Sequence, residues 1–271
     1  MKIEWKCNLI KYAEQPIFSY NGIFTYKSNI LTFYFYSYNH FVETIIDKNG
    51  NLISETQYDF RKTLNLPNHW LHVSLNSNNY ILFDSESGFN INTKKIIYNL
   101  DSTLKAQYNQ KFGNEYHLTD DTFSFEEYII SHKGDYGLIC HMHNKKVWEF
   151  TCKGYLYTDI SKHSNLLTFG TAGRGGHLYG IDIHTGSLIF DIDTKGTSKF
   201  FYNKGFFYFY YCNNNGKIMK MDCNGLIINE LPLGGKVTHK CPLALIDDKI
   251  FSFSLNKYQN SNCPVISCYN I

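Results

Sequence analysis

Apolar and aromatic residues fall in short runs along the chain, separated by clusters of Gly, Asn and Asp. Helical spacing is scarce, so the pattern predicts short antiparallel strands joined by tight turns. One phrase recurs at the ends of such runs, an apolar residue followed by a polar turn-former: Ile46-Asp47, Ile91-Asn92, Met142-His143, Ile181-Asp182, Met221-Asp222 and Tyr269-Asn270. Successive polar positions are 45, 51, 39, 40 and 48 residues apart, a period that suits four strands per repeat. A strand precedes each marker, at 31–36, 80–83, 128–131, 166–170, 206–211 and 250–254.

After the marker the sequence turns back on itself. In Asp47-Lys-Asn-Gly50, Asp182-Ile-His-Thr-Gly186 and Asp222-Cys-Asn-Gly225, glycine accepts a positive φ and the carboxylate can hold local backbone N–H groups. The strand that follows reads Leu188-Ile-Phe190 in one repeat and Val147-Trp-Glu-Phe150 in another. The sixth marker has no strand after it. Lys2-Ile-Glu-Trp5 shares the composition of Lys146-Val-Trp-Glu149, so the N-terminal strand is expected to complete the last repeat. That pairing would close a ring and remove its open edges. The expected fold is all-β, a six-bladed β-propeller forming one domain over residues 1–271, with seven blades the less economical count.

Gly176-His-Leu-Tyr-Gly-Ile-Asp-Ile-His-Thr-Gly-Ser-Leu-Ile-Phe190 and the stretch from Gly234 to Phe251 resemble quinoprotein-type propeller repeats, of the broad PQQ and WD40-like kind. The resemblance covers residues 160–254 and fades elsewhere to the strand rhythm. It implies a propeller. The repeated tryptophans that brace blades in quinoprotein dehydrogenases are absent, so it does not extend to their activity.

Composition narrows the function. The formal charge of +2 over 271 residues argues against binding nucleic acid or membrane by bulk charge. The N-terminal sequence lacks an apolar signal region, and the strongest apolar run, Phe206–Cys212, is too short to span a bilayer. The expected location is therefore the cytoplasm. Eight cysteines with no CxxC pair read as buried thiols, not as a disulfide framework.

Candidate chemistry is thin. Asp84-Ser-Glu86-Ser-Gly88 is a fragment of a calcium-like spacing without enough ligand oxygens, and reads as a turn. His141-Met-His143 is half a zinc site at most, with His143 more economically a turn residue. Ala172-Gly-Arg-Gly-Gly-His177 lies between strands and lacks the helix of a phosphate loop. Two arginines, Arg61 and Arg174, cannot build the three-arginine carboxylate grip of sialidases. No catalytic motif is present, so no enzyme, cofactor or metal is expected.

The longest interval holds an insertion, and residues 115–135 carry Glu115, Asp120, Asp121, Glu126, Glu127 and Asp135 against one Lys133, a local charge of −5. His69-Trp70 is a second possible anchor, or a packed pair. The expectation is a monomeric propeller that binds a protein partner. It resembles, in its size and lack of a site, the immunity proteins of bacterial toxin systems such as contact-dependent growth inhibition. Glu115, Asp120, Asp121, Glu126 and Glu127 would then contact a basic toxin, such as a nuclease. The alternatives are a metal-dependent hydrolase or ligand-binding propeller with a channel-mouth site, and a scaffold subunit.

Overall fold

The computed structural model describes residues 1–12, 22–37, 40–59, 70–112, 122–158, 160–173, 176–196, 200–239, 241–258 and 261–271. The chain is all-β and forms six antiparallel sheets, with one α-helix among the described residues. It divides into two compact units, Met1–Glu115 with Lys240–Ile271, and Tyr116–His239. Each unit holds three sheets.

In the first unit, sheet I comprises Gly22–Lys27, Ile30–Ser37, His40–Ile46 and Leu52–Asp59. Sheet II comprises Leu71–Leu75, Asn78–Leu82, Ser87–Asn90 and Lys95–Tyr98. Sheet VI is built from Leu243–Ile246, Lys249–Tyr258, Ser261–Asn270 and the N-terminal strand Lys2–Asn8. The terminal pairing expected from composition is thus present: Lys2 stands opposite Asn270 and Cys7 opposite Ile266.

Aromatic side chains fill the spaces between these sheets. Phe33 of sheet I lies 5.7 Å from Phe253 of sheet VI, and Phe41 lies 5.7 Å from Trp70 and 5.0 Å from Phe83 on the sheet II side. Trp70 is buried, which settles its packing role, while His69 lies outside the described residues. The insertion after sheet II begins as a helix, Ser102–Phe112. Asp101 starts it, its Oδ1 accepting from the Thr103 and Leu104 N–H groups at 2.9 Å, the expected N-cap geometry. Leu104 and Tyr108 then pack on Val73 and Leu82 of sheet II.

In the second unit, sheet III comprises Thr122–Phe125, Tyr128–His132, Gly137–Met142 and Lys145–Thr151. Sheet IV is formed by Ser161–His163, Leu166–Ala172, His177–Asp182 and Leu188–Asp193, with Tyr155–Leu156 paired beyond. Sheet V comprises Phe201–Asn203, Phe206–Tyr211, Lys217–Asp222 and Ile227–Pro232. Ile130, Cys140 and Trp148 of sheet III share a core with Phe169 and Tyr179 of sheet IV. Leu178 and Phe190 of sheet IV share another with Phe207 and Met221 of sheet V.

A single device recurs in both units. In five of the six sheets the fourth strand is bulged, leaving Glu4, Ile53, Val147, Ile189 and Ile228 without a cross-strand partner. A bulge turns the strand sharply, and in three sheets the next residue is an aromatic: Trp5, Trp148 and Phe190. Each ring lies on a turn glycine of the neighbouring sheet. Trp5 covers Gly50, Trp148 covers Gly186 and Phe190 covers Gly225. The indole Nε1 of Trp148 also donates to the Ile183 carbonyl at 2.7 Å. The expectation that bracing tryptophans are absent is therefore corrected. Two tryptophans and a phenylalanine brace three of the sheet pairs, at those turns that carry glycine.

The turn markers behave as read, with one shift. Asp47 Oδ1 accepts from the Asn49 and Asn51 N–H groups at 2.8 Å, Asp182 Oδ1 from His184 and Thr185, and Asp222 Oδ1 from Asn224 and Leu226. In sheet II the residue in this role is Asn90, not Asn92, because Asn90 Oδ1 accepts from Asn92 and Thr93 at 2.9 Å. In sheet III the turn is the two-residue His143-Asn144, with φ of +49° and +62°, a twist that matches a tight hairpin. His143 thus supplies backbone conformation there.

Candidate partner-binding surface

In a four-stranded antiparallel sheet the first and last hairpin turns lie at the same end. In sheet III that end carries Glu126-Glu127 in the first turn and His143-Asn144 in the last. Glu126 takes a left-handed φ of +56°, which lifts its side chain off the sheet. It is 75% exposed. Its Oε1 nevertheless accepts from Lys162 Nζ of sheet IV at 2.6 Å, and this bond holds its carboxyl below the ordinary range. Glu127 stands 3.4 Å from His143 Nε2.

Around these acids the fold assembles groups that the sequence pattern did not single out. Tyr128 OH lies 2.7 Å from His184 Nδ1, which brings the sheet IV turn against the sheet III hairpin. Immediately after the last turns come exposed apolar residues, Val147 in sheet III and Leu188 and Ile189 in sheet IV. For Val147 and Ile189 the signal was the bulge position itself, where an apolar residue has no cross-strand partner. The same end of sheets III and IV therefore carries both the paired charges and these exposed apolar residues.

Of the residues expected to meet a partner, Glu126 and Glu127 come together on one turn. Glu115, Asp120 and Asp121 lie outside the described residues. Asp135 sits in the single turn Gly134–Tyr136. That turn belongs to the opposite end of sheet III, since it joins the second and third strands. The count of −5 leaves out partners beyond the segment: Glu149 of the fourth strand takes up Lys133 and, at 2.7 Å, Lys146, while Lys162 of sheet IV offsets Glu126.

The other candidates resolve into turns or partial clusters. Asp84 Oδ1 accepts from the Glu86 and Ser87 N–H groups at 2.7 and 2.6 Å, so this carboxylate holds its own turn. Arg174 lies outside the described residues. His177 Nδ1 bonds Asp191, whose other oxygen receives Lys153 Nζ at 3.3 Å. Among the described residues no group of three or more His, Cys, Asp or Glu side chains is placed to hold a metal ion, and no helix is long and apolar enough to cross a membrane.

No protein-family model matches the chain, and no curated protein matches it. Among solved structures it is similar to BamB from Moraxella catarrhalis, with 11% identity and a TM-score of 0.41, covering 92% of this chain and 79% of that one. It is also similar to the computationally designed Ika8 protein, with 11% identity and a TM-score of 0.40 over 95% and 100% of the two chains. The designed Ika4 protein gives 13% identity and a TM-score of 0.38 over 56% and 92%. Likenesses of this size carry no argument about what the chain does.

Proposed function

We propose that this chain is a six-bladed propeller, its ring completed by Lys2–Asn8, that acts as a non-catalytic cytoplasmic binder of another protein. The sharper form of this reading is an immunity protein that sequesters a basic toxin domain. The observation that carries the binding role is the Glu126-Glu127 turn. Two carboxylates are presented on a hairpin turn, at the same end of sheets III and IV as the exposed apolar residues Val147, Leu188 and Ile189. An apolar centre with a polar rim is how protein interfaces are commonly built. A basic partner would exchange its own cations for Lys162 and His143 at these acids, adding attraction without leaving a carboxylate unpaired.

The test begins with capture of the tagged protein from its source cells and identification of a stoichiometric partner. Charge reversal at Glu126 and Glu127 should then weaken binding and flatten its dependence on salt. Binding unchanged in both respects would remove this turn from the interface. A partner that is not toxic when expressed alone would remove the immunity form of the proposal.

A further inference from the structure

We propose that residues 2–12 form a detachable strap, which lifts from sheets VI and I as one unit while the remaining strands stay paired. The inference is independent of the binding role. Lys2–Asn8 is the outer strand of its sheet, hydrogen-bonded on one side only, to Ser261–Asn270. Segments held along one edge only can open locally without global unfolding.

Three attachments hold the strap. Glu4, the bulge residue, accepts from Lys249 Nζ at 2.8 Å and 2.7 Å and from the Cys268 thiol at 3.2 Å. Trp5 sits on Gly50. Farther along, the Leu9 N–H donates to the Pro264 carbonyl at 2.9 Å, Tyr12 meets Phe35 edge-on at 5.1 Å, and Lys11 pairs with Glu55 at 2.6 Å. Glu4 and Lys249 are partly exposed, so water can replace their bond as the strap leaves. Opening would uncover the Ser261–Asn270 edge, with its buried Val265, Ile266 and Tyr269.

The fold supplies its own reporters. Cys7 lies on the buried side of the strap and Cys268 beneath it, whereas Cys140 lies in the middle of sheet III. Burial pushes all three thiols up, Cys7 and Cys140 to about 11 and Cys268 to about 12, so each reacts only when uncovered.

The experiment is native-state alkylation of the full chain, with modification of each cysteine followed by peptide mass spectrometry. Cys7 and Cys268 should react at one common rate, on the order of tenfold or more faster than Cys140. Glu4→Gln should speed both by about tenfold and leave Cys140 unchanged. Rates for Cys7 and Cys268 as slow as that of Cys140 would overturn the strap. So would fast Cys268 with slow Cys7, because the segment would not then move as a unit.

Discussion

Trp5 lies so close to the backbone of Gly50 that a methyl group there would stand 2.8 Å from the Trp5 Cβ. The two residues belong to different sheets, and the same contact recurs between Trp148 and Gly186, where a methyl group would stand 2.9 Å from the Trp148 Cβ and 2.7 Å from its Cγ. Both glycines hold positive φ, +86° and +69°. Each position therefore requires glycine twice over, for its backbone and for the ring above it.

Gly50→Ala and Gly186→Ala should each destabilise by about 2–4 kcal/mol, combining the left-handed backbone cost with steric overlap. Gly205 is the control. Its φ is +85° but its space is open, so Gly205→Ala should cost only about 1–2 kcal/mol. Urea unfolding of the three variants measures the difference, and equal losses would show that the ring contact adds nothing.

Trp148 adds a hydrogen bond to the brace. Trp148→Phe keeps most of the packing but leaves the Ile183 carbonyl without its 2.7 Å donor, and should cost about 1–3 kcal/mol. Trp148→Ala should cost about 3–5 kcal/mol. Comparable losses for the two would assign the brace to the hydrogen bond alone.

Sheets I and II are locked differently. Glu43, only 4% exposed at its side chain, pairs with Lys94 from the sheet II turn and accepts from Tyr58 OH at 3.1 Å. Burial and this carboxylate push the Tyr58 phenol up to about 12. Lys94→Met should destabilise by about 3–5 kcal/mol by stranding a buried charge, while the Glu43→Leu, Lys94→Met pair should recover much of that loss. A double-mutant cycle by chemical unfolding reads the coupling, and additive losses would deny the pair any shared role.

Acid should weaken sheet III through Glu149. The Lys133 and Lys146 ammonium groups draw its carboxyl from 4.5 down to about 2. A depressed carboxyl contributes stability that is complete above its ordinary range and disappears as pH falls through the folded value. The window is therefore about pH 4.5 to 2. Glu149→Gln should lower stability at pH 7 and flatten its fall across that window, so that variant and parent converge towards pH 2, as thermal unfolding against pH would show. An unaltered acid limb would place the linkage elsewhere.

The turns and second strands were legible because their signals are local. An Asp or Asn at the start of a turn is read from the N–H groups it holds within four residues, and a strand from its own alternation. Even so, Ile91-Asn92 was displaced by two residues, since Asn90 and Asn92 are both competent turn-formers and only the pairing of Ser87–Asn90 with Lys95–Tyr98 chooses between them. The helix Ser102–Phe112 was visible only as excess length. Its stability comes from Leu104 and Tyr108 on sheet II, not from a strong pattern of its own.

By itself, then, the sequence determined the all-β class, the six-fold rhythm and the strand Lys2–Asn8 as the complement of Ser261–Asn270, because each rests on spacing or composition along the chain. The tertiary structure alone decided that Trp5, Trp148 and Phe190 brace neighbouring turns, that Glu43 is closed off by Lys94, and that Glu126 meets Lys162. These pairings join residues from 35 to 51 positions apart, and no local pattern carries them. They arise because a bulge or a left-handed turn aims one side chain across the gap between two sheets, and that direction exists only once both sheets are packed.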